Sequence, residues 1–239
     1  MGVLDFATVT PETSTPKYVF PEVGSVSLRD KVIACLKEAI FSGQLKPGDA
    51  VVERHLAQQM KIGTPAVREA LVTLKEQGFV RQVANTATYV NSYSIDEVKE
   101  LYQLRVEFEL LALKWAKLRV TETDLMALEQ VIESMAAAAR DKQVRRFYEL
   151  DLEFHRQCWR LSDNRFLVRS LENLVPPLFA FVLVASDVTV SESVAFEHRA
   201  IVSALRRLEE PEFSGVIRQT LSNFAMTGIA SVASQRRGK

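Results

Sequence analysis

The stretch Tyr148-Glu-Leu-Asp151-Leu-Glu-Phe-His155-Arg-Gln-Cys-Trp159 sets a carboxylate and an imidazole four residues apart, on one face of a helix. At that spacing the pair can ligate a divalent metal ion, or the carboxylate can orient the ring. His198, in Glu197-His-Arg-Ala-Ile201, opens a later helical segment and offers a second imidazole. Taken alone, these residues are a weak signal and read first as an ion pair on a helix surface. Arg105 follows an apolar face. Pointing inward, it favours a carboxylate ligand, because a guanidinium fork matches two oxygens at once. Pointing outward, it pairs with Glu109 one turn on. A second group of cations lies earlier. Arg68 stands one turn beyond Thr64 at the start of a helix, where it can reach guanine O6 and N7 or a phosphate. Arg54, near the start of the preceding helix, is placed to touch phosphate. The competing reading of Arg68 is a salt bridge to Glu53 or Glu69. His55 is polar and expected to be exposed, with no metal role.

The elements that must carry these groups follow from periodicity. Ser27 precedes Leu28, Val32, Ile33, Leu36 and Ile40, an amphipathic helix with a serine cap that stops at Ser42-Gly43. Leu45-Lys-Pro-Gly48 is a turn. A second helix runs from about Glu53 to Met60, and Lys61-Ile62-Gly63 is a tight turn. A third begins at Thr64-Pro65, where Thr can cap and Pro suits the first helical position, and it ends at Gly78. Residues 79–83 and 87–90 alternate as two strands. This order predicts a winged helix-turn-helix over residues 25–93, whose third helix projects outward with its positive dipole end exposed. Residues 94–239 read as six or seven helices forming an all-helical bundle, opened by the capping-box pattern Ser94-Ile-Asp-Glu97. Residues 1–24, with Pro11, Pro16 and Pro21, read as a mobile tail. The fold class is mainly α.

Composition narrows the partners. The chain has 239 residues, with 30 Lys+Arg against 30 Asp+Glu. Net zero charge excludes a uniformly basic coat but not a local basic face. Residues 25–93 hold nine Lys/Arg and six Asp/Glu, and residues 94–239 hold twenty and twenty-one, so the first block is the anion-facing one. Cys35 and Cys158 are too few for a disulfide framework and are read as buried thiols in a reducing cytoplasm. No signal peptide opens the chain. The longest apolar stretch, Leu174 to Ala185, falls short of a membrane span. No nucleophile motif, glycine-rich phosphate loop or paired-carboxylate signature supports an enzyme. The alternatives are a metal-dependent enzyme using Asp151, His155 and His198 with a bound water, and a module whose winged domain binds protein.

The run Leu45-Lys-Pro-Gly-Asp, Glu53-Arg-His-Leu-Ala57, Gly63-Thr-Pro-Ala-Val-Arg-Glu-Ala-Leu71 and Leu74-Lys-Glu-Gln-Gly-Phe-Val80 resembles the GntR family of bacterial transcription regulators. Glu100-Leu-Tyr-Gln-Leu-Arg105, Asp151-Leu-Glu-Phe-His155, Leu161-Ser-Asp-Asn164 and Glu197-His-Arg-Ala-Ile201 resemble the FadR C-terminal, or FCD, effector domain. The resemblance implies a homodimer on a palindromic double-stranded operator, with DNA contacts at Arg54, Lys61, Gly63, Thr64 and Arg68. It implies control by a small carboxylate effector held by Arg105, Asp151, His155, His198 and Asn223. It further implies one divalent metal ion (zinc, nickel or manganese) on Asp151, His155 and His198; the other reading is a hydrogen-bonding pocket without metal. Two departures stand out. Thr64 occupies a position where the family has Arg, and the wing tip reads Asn85-Thr86-Ala87 in place of basic residues and Gly. The family's fourth ligand, a His of the last helix, falls on Thr220, Asn223 or Phe224.

Overall fold

The computed structural model describes residues 27–83, 87–185 and 190–237. The expected tail and the wing-tip residues Asn85 and Thr86 lie outside the described residues.

Helix α1 (Leu28–Phe41) is capped by the Ser27 hydroxyl, which accepts from the Asp30 N–H. Strand β1 (Ala50–Val51) leads into α2 (Glu53–Met60), and α3 (Thr64–Glu76) follows. Lys61 ends α2 in the left-handed region, at φ 54°. Strands β2 (Val80–Val83) and β3 (Ala87–Val90) pair antiparallel, with Val80 opposite Val90 and Val83 opposite Ala87. The third strand, β1, is an addition to the expected hairpin and pairs Ala50 with Tyr89 on the other edge of β3. The core of this winged unit is Val32, Leu36, Ile40, Val51, Val67, Leu71, Leu74, Phe79 and Val90. These apolar residues recur every three or four positions along α1 and α3, so each helix has one stripe to bury.

The second unit holds α4 (Ile95–Lys117), α5 (Glu122–Arg140), α6 (Val144–Leu161), α7 (Arg165–Ala185), α8 (Glu192–Glu197), α9 (Arg199–Arg207) and α10 (Glu212–Arg237). Capping boxes start α4 (Ser94 with Glu97) and α5 (Thr121 with Asp124), each satisfying two otherwise orphaned N–H groups. Helices α8 and α9 are separated by a break at His198. Phe154, Trp159, Leu128, Ile132, Met135 and Phe213 fill the bundle core.

Helix α7 carries the apolar stretch and extends it on its N-terminal side. It spans 21 residues with a mean hydropathy of 1.5 in its most apolar window, long and apolar enough to cross a membrane by length and composition. More than half of that window is buried, because α7 serves both units. Its Ala180 belongs to the winged core, whereas Leu171, Val175 and Phe179 belong to the bundle core. Pro176 and Pro177 lie within it and lack an N–H, which leaves the carbonyls of Glu172 and Asn173 without their usual helical donors. Gly78, at φ +75°, packs here: a Cβ on it would lie 3.1 Å from the Asn173 carbonyl and 3.3 Å from Pro177. Arg145 also ties the units by a two-pronged ion pair to Glu38.

The cysteines part company. Cys158 is buried as expected, and burial pushes its thiol well above the ordinary range. Cys35 is exposed, because α1 turns Val32, Leu36 and Ile40 inward and leaves position 35 on the outer face.

Candidate effector cavity and nucleic-acid interface

The winged unit presents α3 outward. Arg54, Lys61, Gly63, Thr64 and Arg68 are all exposed. The expected threonine cap is absent: Gly63 is the N-cap of α3, and no side chain caps the helix. Glycine has nothing to offer those N–H groups, so the first turn keeps them open to an anion. Arg68 projects into solvent, with 67% of its side chain exposed, and its Nε donates to Glu53 Oε2 at 3.1 Å. The salt-bridge reading of Arg68 therefore holds, with the side chain still on the outer face. An exposed pair of this kind contributes only ~0–1 kcal/mol, so a duplex can take the guanidinium from Glu53 at little cost. Gln82 and Thr88 of the wing border the same hollow as Arg68. Sequence reasoning passed over Arg81, whose guanidinium lies 5.4 Å from the Tyr89 ring centre and adds a cation to the wing.

Inside the bundle, one face from each of five elements converges. Helix α4 supplies Tyr102, Arg105 and Glu109, at spacings of three and four residues. Helix α6 supplies Tyr148, Asp151 and His155, and α7 supplies Phe179 and Val182. His198 comes from the break between α8 and α9, and Phe224, Thr227 and Gly228 from α10. These elements line a cavity of about 180 Å³; Glu109 and His155 are not in its wall and meet it through Arg105 and Asp151. Gly228 is required there, because a Cβ would meet the Tyr102 hydroxyl at 2.2 Å.

Arg105 is buried, not on the surface, and it still makes the expected pair. Its Nε donates to Glu109 Oε1 at 2.8 Å, and its Nη2 lies 2.9 Å from His155 Nε2. Glu109 Oε2 meets His155 Nδ1 at 2.7 Å. Sequence reasoning treated Glu109 as a surface partner, whereas it is 1% exposed and anchors both the arginine and the histidine. Burial alone would raise the Glu109 carboxyl, but the charges of Arg105 and His155 bring it down to about 2. Burial opposes a charged His155, and Glu109 and Asp151 together outweigh it, so the proton affinity of the ring is raised. A more basic imidazole is also a better electron-pair donor.

His198 Nδ1 lies 3.1 Å from the carbonyls of Val194 and Ala195, which can only accept. The proton on each ring is thus drawn to Nδ1, by two carbonyls at His198 and by a carboxylate at His155. Both Nε2 atoms then face Asp151 Oδ1, at 3.3 Å from His155 and 3.2 Å from His198. Asp151 is buried enough to raise its carboxyl, yet the two rings hold it well below the ordinary range. One ligand atom from each of Asp151, His155 and His198 lies within 4.8 Å of the others. The electron pair of His155 Nε2 already faces Arg105 Nη2 at 2.9 Å, and a metal ion on all three donors would replace that contact. The donor set, two imidazoles and a carboxylate each oriented by a further group, fits a divalent transition metal.

Asn223 is a correction. It is exposed and accepts from its neighbour Gln219, because the turn preceding α10 sets a register that rotates position 224 inward. Phe224 fills the place, its ring stacked on His198 with centroids 4.4 Å apart and planes at 24°. Thr220 is buried but donates to the Val216 carbonyl. The fourth ligand is therefore replaced by a hydrocarbon ring.

Residues 28–90 match the family described as bacterial regulatory proteins, gntR family, and residues 100–222, more than half the chain, match the FCD domain. The chain is 25% identical over 199 residues to the HTH-type transcriptional repressor RspR of Escherichia coli K12, covering 83% of this chain and 84% of that protein. It is 28% identical over 137 residues to the Nta operon transcriptional regulator of Aminobacter aminovorans, covering 56% of this chain and 63% of that one. The fold matches the solved structure of E. coli McbR/YncC with a TM-score of 0.73 at 22% identity, over 89% of this chain and all of that one. The chain therefore belongs to the FCD family of GntR-type proteins, and it is a transcription regulator that joins a GntR DNA-binding domain to an FCD domain.

Proposed function

We propose that residues 94–239 hold a small carboxylate effector and that its binding controls how residues 25–93 engage DNA. The observation that carries this reading is α7. On one side it presents Phe179 and Val182 to the cavity; on the other it gives Ala180 to the winged core and packs Pro177 against Gly78. Tyr93, in the connection between the units, rests edge-on against Phe181 at 5.1 Å. A ligand that favours one placement of α7 over another therefore shifts the placement of the recognition helix, by its difference in affinity for the two.

Arg105 receives one carboxylate oxygen, and Asp151, His155 and His198 hold one divalent ion. Such an ion, when bound, supplies a Lewis-acid anchor for an anionic oxygen. Glu109 keeps Arg105 and His155 aimed at the site. Two copies of the chain act together in the cytoplasm on a palindromic operator, since paired half-sites mirror the twofold symmetry of a dimer. Arg68 reads base edges or phosphate, and Arg54, Lys61, Gly63 and Thr64 position the domain on the backbone.

The test is operator release. Full-length protein selects its operator from random genomic fragments, and a panel of small acids is then titrated into the complex. An acid that changes operator affinity at least fivefold, and loses that effect in Arg105→Gln, is the expected result. Operator binding indifferent to every acid, together with unchanged behaviour of Arg105→Gln, would overturn the reading.

A further inference from the structure

The geometry points to an effector with a single carboxylate and an apolar body, such as a short branched-chain or aromatic monocarboxylic acid, rather than a dicarboxylate. This rests on the effector reading above and names the ligand class for the same cavity.

The cavity has two unlike halves. Its charged end is Arg105, Asp151 and His198, the hydroxyl-bearing side chains of Tyr102, Tyr148 and Thr227 also line it, and Arg105 is the only lysine or arginine among the described residues lining it. Its other walls include Phe179, Val182, Val190, Val194 and Phe224. Phe224 does most to set this contrast. Stacked on His198, it puts a hydrocarbon face beside the metal-binding atoms, where Asn223 or Thr220 would have offered a hydrogen bond. A second carboxylate on the ligand would end against these apolar walls with no cation to meet it, and an unpaired buried charge is strongly disfavoured. Charge balance agrees. Glu109 and Asp151 bring two negative charges, Arg105 one positive and a divalent ion two, so the loaded cluster carries one net positive charge. One carboxylate neutralises it, and a second would leave an excess. Size agrees as well: the cavity is about 180 Å³, and an apolar cavity of about 150 Å³ accommodates benzene.

Isothermal titration of the full-length, zinc-loaded protein with butanoate, pentanoate and pentanedioate tests this. Pentanoate and pentanedioate differ only in replacing a methyl by a second carboxylate. Pentanoate is expected to bind at least tenfold more tightly than pentanedioate and about fourfold more tightly than butanoate, the increment of one buried methylene. Phe224→Asn should cut the preference for pentanoate at least threefold, and Phe224→Leu should keep it. Val194→Thr repeats the polar change at nearly constant shape should Phe224→Asn fail to fold. Both five-carbon acids binding in an Arg105-dependent way with a ratio below ten would overturn the ligand class and leave the effector reading standing. No binding of any of the three acids would overturn both.

Discussion

Glutamate 109 offers the sharpest test of how the cavity is built. Its carboxylate is 1% exposed and accepts from Arg105 at 2.8 Å while facing His155 Nδ1 at 2.7 Å. Folding brings its pKa to about 2, against ~4.3 for an ordinary glutamate. That difference corresponds to ~3 kcal/mol of stability. The folded pKa is the lower one, so the unfolded chain binds the proton more readily. The contribution is complete above about pH 5 and is lost progressively as the pH falls towards 2. Glu109→Gln keeps the shape and one acceptor but leaves Arg105 without its charge partner. Breaking a buried pair typically costs ~3–5 kcal/mol, and the retained acceptor places this variant near the lower figure. For a chain of this size that corresponds to a fall in Tm of roughly 6–12 °C. Urea denaturation of the two proteins at pH 7, 5 and 4 measures it. The expected result is a loss of about 3 kcal/mol at pH 7 that narrows as the solution is acidified. A loss below ~1 kcal/mol at pH 7 would refute the placement of Glu109 as the buried anchor.

Other outcomes follow from the same geometry. Glu53→Gln frees Arg68 from its 3.1 Å partner and removes a negative charge beside the duplex, so affinity for DNA should rise about two- to fivefold in fluorescence anisotropy; unchanged or weaker binding would contradict the exchange. Elemental analysis of chelated and zinc-reloaded protein should find one ion per chain in the natural sequence and at least a tenfold loss of affinity in His198→Ala and Asp151→Asn; equal uptake by these variants would show that the ion lies elsewhere. Gly78→Ala forces a side chain against Asn173 and Pro177, so it should weaken the effect of an acid on DNA affinity while leaving acid binding near its normal value. Full response by that variant would remove α7 as the link between the units.

Much of this arrangement was legible in the residues. The caps at Ser27, Ser94 and Thr121 are local hydrogen bonds that depend on residues three positions on, and they form where the sequence places them. The turn between α2 and α3, and the shared face of Asp151 and His155, follow from helical period alone. The remainder depends on contacts distant in sequence. A two-residue strand such as Ala50–Val51 has no period to detect and exists only because β3 lies beside it. Glu109 is one turn from Arg105, a spacing common to exposed pairs, and only the packing of α6 over α4 buries both. The choice between Asn223 and Phe224 turns on the register of α10 after the turn at Glu209 to Pro211, which no local signal specifies. Cys35 stands beside exposed Ala34 on the face that Val32, Leu36 and Ile40 leave to solvent, and its apolar surroundings in sequence do not reveal that side. Helix α7 carries apolar residues around most of its surface because two cores use it, and no amphipathic stripe in the sequence divides them.

The DNA-reading role of the exposed arginine on α3 is tested most directly by one comparison. The natural protein and Arg68→Ala are titrated by anisotropy onto the selected operator and onto random duplex at several salt concentrations, with circular dichroism confirming that both are folded. Arg68→Ala should bind the operator about ten- to a hundredfold more weakly, with specificity relaxed at the base pair the guanidinium reads. Operator binding by Arg68→Ala as tight and as specific as that of the natural protein would contradict the assignment of this face to DNA.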